Sequence, residues 1–146
     1  MKVFLAGIIQ GSLVEAEIHS QDWRIPIRAA LERHVGQMEV YCHYSEHPNS
    51  ITYDLDGICR TFEQGLAEAR ASDVLIAFLP GASMGTAIEI HEAARAGAVV
   101  LTITPMAANW VIRAYSDRIF ENVNDFETFL AEGKLTELLA SRRRPQ

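Results

Sequence analysis

The chain has 146 residues and a formal net charge of −6, and 49% of its residues are hydrophobic while 22% are charged. This length suits one domain with one hydrophobic core, and the negative net charge is opposite to what binding to nucleic-acid phosphates requires. No apolar run is long enough for a transmembrane helix, and the first one is too short for a signal peptide. We therefore expect a cytoplasmic protein with no nucleic-acid or membrane partner.

Hydrophobic patterning in the first part of the chain predicts two strands and one helix. A buried strand at Val3–Ala6 leads into a loop with two glycines, and a helix over 22–34 and a strand over 38–42 follow. The polar segment HYSEHPNSITYD, from His43 to Asp54, is predicted to be a loop. Loops this long inside compact domains are usually functional or mobile.

In the rest of the chain, predicted helices and predicted strands continue to alternate. The predicted helices cover 55–71, 84–96 and 107–115, with one or two more over 126–140, and the predicted strands cover 74–79, 99–103 and 118–120. Continuous apolar strands alternating with helices indicate an α/β, Rossmann-like, doubly wound parallel sheet of about five strands flanked by helices. We expect one domain over 1–140 and a solvated basic tail over 141–146.

The two cysteines, Cys42 and Cys59, lie far apart without CxxC spacing or a histidine cluster. This pattern indicates neither a disulfide framework nor a metal site, so we expect two buried thiols.

Three loops should converge beyond the carboxyl ends of the strands, where open α/β sheets bind ligands. They are GIIQGS, HYSEHPNS and PGASMG. In the third loop Ser83 is a predicted helix N-cap, and Gly85 permits close approach to the backbone. Free N–H groups and the positive end of the helix dipole would suit a phosphate there.

Glu89 lies one and a half turns into the helix that follows PGASMG, on the same stripe as Gly85 and Glu92. A solvated polar face explains this stripe as well as a carboxylate at the mouth of a pocket does, so spacing alone leaves both open. At the start of the first helix, Trp23 is expected to pack in the core and Arg24 to face solvent.

Four segments together resemble the nucleoside 2-deoxyribosyltransferase superfamily, which includes the nucleoside 5′-monophosphate N-glycosidases. They are FLAGIIQG, SDVLIAF, SMGTAIEIHEA and PMAANW. The resemblance covers about residues 3–110 and is most specific over 73–93. It implies a flavodoxin-like fold, a homodimer or larger homo-oligomer with shared active sites, and cleavage of the bond between a base and a (deoxy)ribose. No metal or other cofactor is expected.

The resemblance also implies roles for individual residues. Glu89 would attack the anomeric carbon, Asn109 would reach the neighbouring subunit's site, and Ser83 would meet a phosphate where nucleoside transferases tend to carry aspartate. The remaining residues expected to hold the phosphate or 5′ end of the substrate are Gly7, Ile9, Gln10, Gly11, Ser12 and Gly85.

Two positions depart from the family pattern. Phe4 stands where a tyrosine usually orients the glutamate, and Gly65 stands where an aspartate usually binds the sugar. Glu63, Asp54 and Asp56 are candidate replacements for that aspartate, and the sequence does not choose among them. Three functions therefore remain open: N-glycosidic cleavage or transfer, a non-catalytic nucleotide sensor on the same fold, and a flavodoxin-like FMN carrier.

Overall fold

The centre of the molecule is a five-stranded, all-parallel sheet with the strand order β2-β1-β3-β4-β5. The computed structural model describes residues 1–142. The strands are β1 (Lys2–Gly7), β2 (Glu39–Tyr41), β3 (Val74–Phe78), β4 (Val99–Ile103) and β5 (Arg118–Phe120). This is the flavodoxin-like order, and it confirms the α/β prediction.

Helices connect the strands and cover both faces of the sheet. They are α1 (Arg24–His34), α2 (His43–Glu46), α3 (Leu55–Arg70), α4 (Met84–Arg95), α5 (Trp110–Tyr115), α6 (Val123–Ala131) and α7 (Lys134–Arg142). Within residues 1–142, no helix combines the length and apolar character needed to cross a membrane.

Alternate residues of the central strands supply two separate cores. Val3, Leu5, Val74 and Ile76 pack under α1, α6 and α7, whereas Phe4, Ala6, Leu75 and Ala77 pack under α3, α4 and α5. Because both faces are covered, these strands are apolar throughout after the first residue of β1, Lys2.

The segment from His43 to Asp54 is more ordered than the predicted loop. The Cys42 carbonyl accepts hydrogen bonds from the N–H groups of Ser45 and Glu46 at 3.0 and 3.1 Å, which begins α2. A 3-10 turn at Ser50–Thr52 follows. Both elements are short and polar, so the sequence shows no repeating pattern of apolar residues that would have predicted them.

Helix α7 extends two residues into the segment predicted as the basic tail. The Arg142 guanidinium donates to the carbonyls of Gly97 and Ala98 at 2.9 and 2.6 Å and pairs with Asp117. These contacts hold the end of α7 against the start of β4. Arg143 and Arg144, the rest of the predicted basic cluster, lie outside the described residues.

Candidate active site

A cavity of about 400 Å³ opens at the carboxyl ends of β1, β2 and β3. It is formed by the β1–α1 loop, the segment after β2, one face of α3 and the first turns of α4, so the three predicted loops do converge. Its lining residues are Gly7, Ile9, Gln10, Gly11, Ala16, His43, Ser50, Ile51, Tyr53, Ile58, Thr61, Phe62, Gly65, Ser83, Met84, Gly85, Thr86 and Glu89. Ser12 and Asn109, which were also predicted at the site, do not line it.

Glu89 is half-buried and faces this cavity from α4. Burial raises the pKa of its carboxyl group from the ordinary 4.5 to about 8, although the positive charge of Arg24 acts in the opposite direction. The Cys42 thiol raises it further. Glu89 is therefore largely protonated at neutral pH, and a bound group that favours the carboxylate would change its charge.

The start of α4 forms one end of the cavity. Ser83 has extended backbone, and its Oγ accepts hydrogen bonds from the N–H and the hydroxyl of Thr86 at 3.4 and 3.1 Å, as expected of an N-cap. The first N–H groups of a helix have no acceptor within the helix. Here Met84 and Gly85 line the cavity at that point, so polar oxygens of a ligand can approach the positive end of the helix dipole.

Gly65 leaves space directly beside Glu89. A Cβ at this position would lie 4.0 Å from Glu89 Oε1 and 3.8 Å from His43 Nδ1, so the carboxyl group and the imidazole both border this space. Burial, together with His47 and Arg24, lowers the pKa of His43. The imidazole is therefore neutral at pH 7, with one nitrogen able to donate and the other to accept.

Sequence analysis did not single out His43, because the residue was assigned to a polar loop. The signal that could have found it is its position directly after a predicted strand, at the edge of the sheet where ligands bind.

None of the three carboxylates considered as replacements for the aspartate missing at position 65 lines the cavity. Asp54 caps α3 by accepting from the Gly57 N–H at 2.8 Å, and Asp56 and Glu63 are exposed. Among residues 1–142, Glu89 is therefore the only carboxyl group that borders the space at Gly65.

The second departure, Phe4, is completely buried and stacks on Tyr41 of β2 with ring centroids 5.2 Å apart. The Tyr41 hydroxyl is buried and has no hydrogen-bond partner within residues 1–142. Burial raises its pKa to about 12, so this phenol stays neutral. Tyr41 does not line the cavity, and it therefore makes no contact there in place of the missing tyrosine.

Gly7 is required by packing. A Cβ there would overlap the ring of Trp23 and would lie 2.9 Å from the Phe78 carbonyl oxygen. Trp23 also stacks on the Phe78 ring, with centroids 4.9 Å apart. The absence of a side chain at Gly7 thus lets the tryptophan ring pack against this strand end.

The prediction that Arg24 faces solvent is wrong, because only 6% of this residue is exposed. Its Nε donates to Cys42 Sγ at 3.0 Å, an Nη1 hydrogen bond goes to Gln21, and the guanidinium lies 3.9 Å from the Trp23 ring centroid. A thiol, an amide and an aromatic face together allow this charge to be buried.

Of the two thiols predicted to be buried, Cys42 is buried, whereas Cys59 is exposed on α3. The helix turns Cys59 outward. Neither forms a disulfide.

Asn109 caps α5 by accepting from the N–H groups of Val111 and Ile112 at 3.0 and 3.4 Å. It is exposed and lies outside the cavity of its own chain. The structure thus shows its capping role, and contact with a ligand would have to occur across an interface between subunits.

No protein-family model and no curated protein matches this sequence. Solved structures do match it. A 2-deoxyribosyltransferase of Bacillus psychrosaccharolyticus, characterised as a biocatalyst for nucleoside synthesis, has 17% identity and a TM-score of 0.64 over 87% of this chain and 90% of its own. The CMP N-glycosidase BcmB of Clostridium botulinum has 21% identity and a TM-score of 0.54 over 89% and 98%.

This chain has the same fold as these two proteins. A conserved protein of Enterococcus faecalis V583 is similar as well, with 16% identity and a TM-score of 0.60 over 92% of this chain and 98% of its own. At these identities the similarity establishes the fold, and activity has to be argued from the cavity.

Proposed function

We propose that this protein is a member of the nucleoside 2-deoxyribosyltransferase superfamily that cleaves the N-glycosidic bond of a nucleoside or nucleoside 5′-monophosphate by hydrolysis or transfer. The observation that carries the proposal is the position of Glu89, whose carboxylate faces a cavity of about 400 Å³ beside the open space at Gly65. The names of two structural neighbours, a deoxyribosyltransferase and a CMP N-glycosidase, support the same reaction class.

The chemistry follows from a carboxylate next to an anomeric carbon. Ionised Glu89 attacks that carbon through an oxocarbenium-like transition state, and the bond to the base breaks with its electron pair going to the base. The resulting glycosyl ester is released by water or by a second base. The departing base takes up a proton, and Glu89 releases one when it ionises. His43 faces the same space at Gly65 and would accept that proton and pass it to the base, so that the imidazole is neutral again at the end.

The cavity walls suit the two ends of such a substrate. Ile58, Phe62 and Tyr53 supply apolar and aromatic surface to the lining, and Ser83 and Gly85 supply the start of α4. A volume of about 400 Å³ lies within the usual range for small-ligand sites. The aromatic side chains would hold a flat base, and the helix start would hold the 5′ end of the sugar.

The direct test is chromatographic detection of free base after incubation with a panel of nucleosides and their 5′-monophosphates. Release of base from any member of the panel supports cleavage. The alternative is a nucleotide sensor, which the Phe4 and Gly65 departures favour. Thermal stabilisation by a ligand of the panel without base release would establish the sensor, because a ligand that binds only the native state raises stability.

Ser83→Asp is expected to lower kcat/KM for 5′-monophosphates at least about tenfold relative to the matching nucleosides, because a carboxylate at the start of α4 repels a phosphate dianion. Aspartate is itself a good N-cap, so the helix should be retained. Steady-state kinetics on both substrate classes measure the ratio.

Ser83→Asn is the matched control, since asparagine caps equally well and carries no charge. If both variants change the ratio of kcat/KM for 5′-monophosphates to kcat/KM for nucleosides equally, Ser83 does not contact a phosphate.

Self-association is part of the proposal, with a second copy of this chain covering one apolar face. We call this face the α3–α5 surface. It consists of exposed residues of α3, α4 and α5, namely Leu55, Ile58, Phe62, Met84, Ile88, Trp110 and Val111. Trp110 is 86% exposed, and Asn109 precedes it. Large apolar side chains exposed on neighbouring helices are typical of an interface, and association there would place Asn109 at the interface.

Trp110→Ser is expected to shift the protein from a dimer or larger assembly towards monomer, as measured by light scattering after size-exclusion chromatography across a concentration series. Large aromatic residues contribute most to interface stability.

Ile25→Ser is the control for this change, because Ile25 is 69% exposed on α1, which covers the other face of the sheet. A parent that is monomeric at all concentrations, or an equal effect of both substitutions, would contradict assembly through the α3–α5 surface.

A further inference from the structure

Glu89 faces a cavity that offers it no close positive partner. Among the lining residues, which all lie within 1–142, only Glu89 and His43 titrate near neutral pH, and there is no lysine or arginine. Glu89 also forms no salt bridge with any residue of this part of the chain. A carboxylate withdrawn from bulk water requires a positive charge nearby, so a ligand that carries such a charge would be its first close partner.

An aromatic ring borders the same cavity one helical turn from Glu89. A Cβ at Gly65 would lie 4.0 Å from Glu89 Oε1, and a Cβ at Gly85 would lie 3.6 Å from Phe62 Cε2. Gly65 follows Phe62 by three residues on α3, and Glu89 follows Gly85 by four residues on α4, so each pair shares one helix face. The ring of Phe62 and the carboxyl group of Glu89 are therefore neighbours along the wall that α3 and α4 form.

Two further rings come from the segment after β2. His43 Nδ1 lies 3.8 Å from the Cβ position at Gly65, and Tyr53 also lines the cavity. His47 links these two residues, because its Nδ1 lies 3.2 Å from the Tyr53 hydroxyl and its ring centroid lies 5.3 Å from that of His43. Aromatic rings attract cations to their faces, and a carboxylate among such rings suits a flat cation.

We propose that the cavity binds a nucleoside whose base carries a fixed positive charge, such as an N-alkylated purine or a pyridinium ring, with Glu89 as the counter-charge. The ring nitrogen of such a base is bonded to the anomeric carbon, so its charge lies next to the carbon that Glu89 attacks. The assignment of this ligand as substrate rests on the proposed function, whereas recognition of the cation does not require that the bond is cleaved.

A cationic base also simplifies the transfer of protons. Pairing with the cation favours the carboxylate, so Glu89 releases its proton to solvent when the ligand binds. Glu89 then forms an ester bond to the anomeric carbon, and the bond to the ring nitrogen breaks with its electron pair neutralising the ring. The base leaves neutral and takes up no proton. Water cleaves the ester, so that one water is consumed and one proton is released overall.

Other charged and titratable groups around Glu89 have to be separated from its own ionisation. Tyr41 of β2 stays neutral because burial raises its pKa to about 12, and Arg24 of α1 stays charged. Burial lowers the pKa of His43, so the imidazole is neutral at pH 7, and α3 presents no titratable side chain to the cavity. The Cys42 thiol, 3.0 Å from Arg24 Nε, has a lowered pKa, and Cys42→Ser removes its titration as a control.

The first test uses binding alone. It compares 1-methylnicotinamide, a permanent cation, with neutral nicotinamide by isothermal titration calorimetry at pH 8. The parent protein is expected to bind the cation at least about tenfold more tightly. In Glu89→Gln, which keeps the shape of the side chain but not its charge, the preference should fall to within about threefold.

Glu92→Gln is the matched control, because Glu92 lies on the same helix but pairs with Arg70 at the surface. This variant should keep the parent's preference for the cation. A parent that does not bind 1-methylnicotinamide at millimolar concentration, or an equal preference in the parent and the Glu89→Gln protein, would overturn the proposal.

The second test is the pH dependence of the same binding. Pairing requires ionised Glu89, whose pKa in the free protein is about 8. The affinity for 1-methylnicotinamide should therefore rise at least about tenfold between pH 6 and pH 8. Nicotinamide is uncharged across this range, so its affinity should change less than about threefold. The same pH dependence for both compounds would contradict the role of Glu89 as the counter-charge.

The third test measures base release. Nicotinamide riboside is expected to be a substrate, and His43→Asn should lower kcat/KM for neutral nucleosides at least about tenfold more than for nicotinamide riboside, since a base that leaves neutral needs no proton. Equal losses, or no release from nicotinamide riboside by a parent that cleaves neutral nucleosides, would overturn the substrate class. If the parent cleaves no substrate at all, the proposed function fails, and the binding tests still decide whether the cavity recognises a cation.

Discussion

Replacing Glu89 by alanine is expected to lower the rate of base release by at least about 1000-fold, because the substitution removes the only carboxylate among the lining residues of the cavity. Loss of a covalent nucleophile usually costs far more than loss of a binding contact. Chromatography of the released base under single-turnover conditions measures the change directly.

Glu92→Ala is the matched control for this loss. Glu92 lies three residues farther along α4 and pairs with Arg70 at 2.8 Å on the surface. The control should keep the parent's activity to within about threefold, since exposed ion pairs contribute little. Parental activity in the Glu89→Ala protein would contradict the assignment of the nucleophile, whatever the substrate.

Glu89→Gln is expected to stabilise the folded protein, and to do so more strongly as pH rises. The native pKa of about 8 lies above the ordinary 4.5, so between these values the native state binds more protons than the unfolded state. The free energy of unfolding therefore falls as pH rises through this window. Glutamine does not ionise, so the free energy of unfolding of the Glu89→Gln protein does not fall for this reason.

At pH 8, Glu89→Gln is expected to raise the free energy of unfolding by about 2 kcal/mol, a value reduced because water in the cavity screens the charge. This corresponds to a rise in Tm of roughly 5 °C. At pH 5 the gain should be only about a fifth of this, because pH 5 lies just above the ordinary pKa of 4.5, at the low end of the window. Thermal unfolding at the two pH values gives the comparison.

Glu92→Gln should show no such increase with pH, because the Arg70 hydrogen bond lowers the pKa of Glu92 instead of raising it. A Glu89→Gln gain that is equal at pH 5 and pH 8 would mean that Glu89 is already ionised in the empty cavity. A gain confined to high pH would show that a carboxylate useful for catalysis is held at the expense of stability.

The sheet and the position of the cavity were predictable from local pattern. Runs such as VLIAFL at Val74–Leu79 indicate strands covered on both faces, and chain order together with the crossover rule places their carboxyl ends at one edge. Ser83 could be predicted as a cap, because capping depends on residues within one turn.

The sequence misled at positions whose environment comes from distant parts of the chain. Arg24 lies on α1, where an arginine usually faces solvent, and it becomes buried only because Cys42, from the end of β2, and the ring of Trp23 enclose it. His43 likewise reaches the site through the space left by Gly65 of α3. The hydrophobic periodicity of these two segments does not predict either contact, because the partners come from other parts of the chain.

The sequence by itself therefore determined the order of strands and helices, the edge of the sheet where a ligand can bind, and the candidate carboxylate. Only the tertiary structure decided that Glu89 faces a cavity instead of solvent, that its pKa is raised to about 8, and that Arg24 is buried against Cys42. The physical reason is that the ionisation of a side chain depends on burial and on charges from other segments, which meet only when the chain folds.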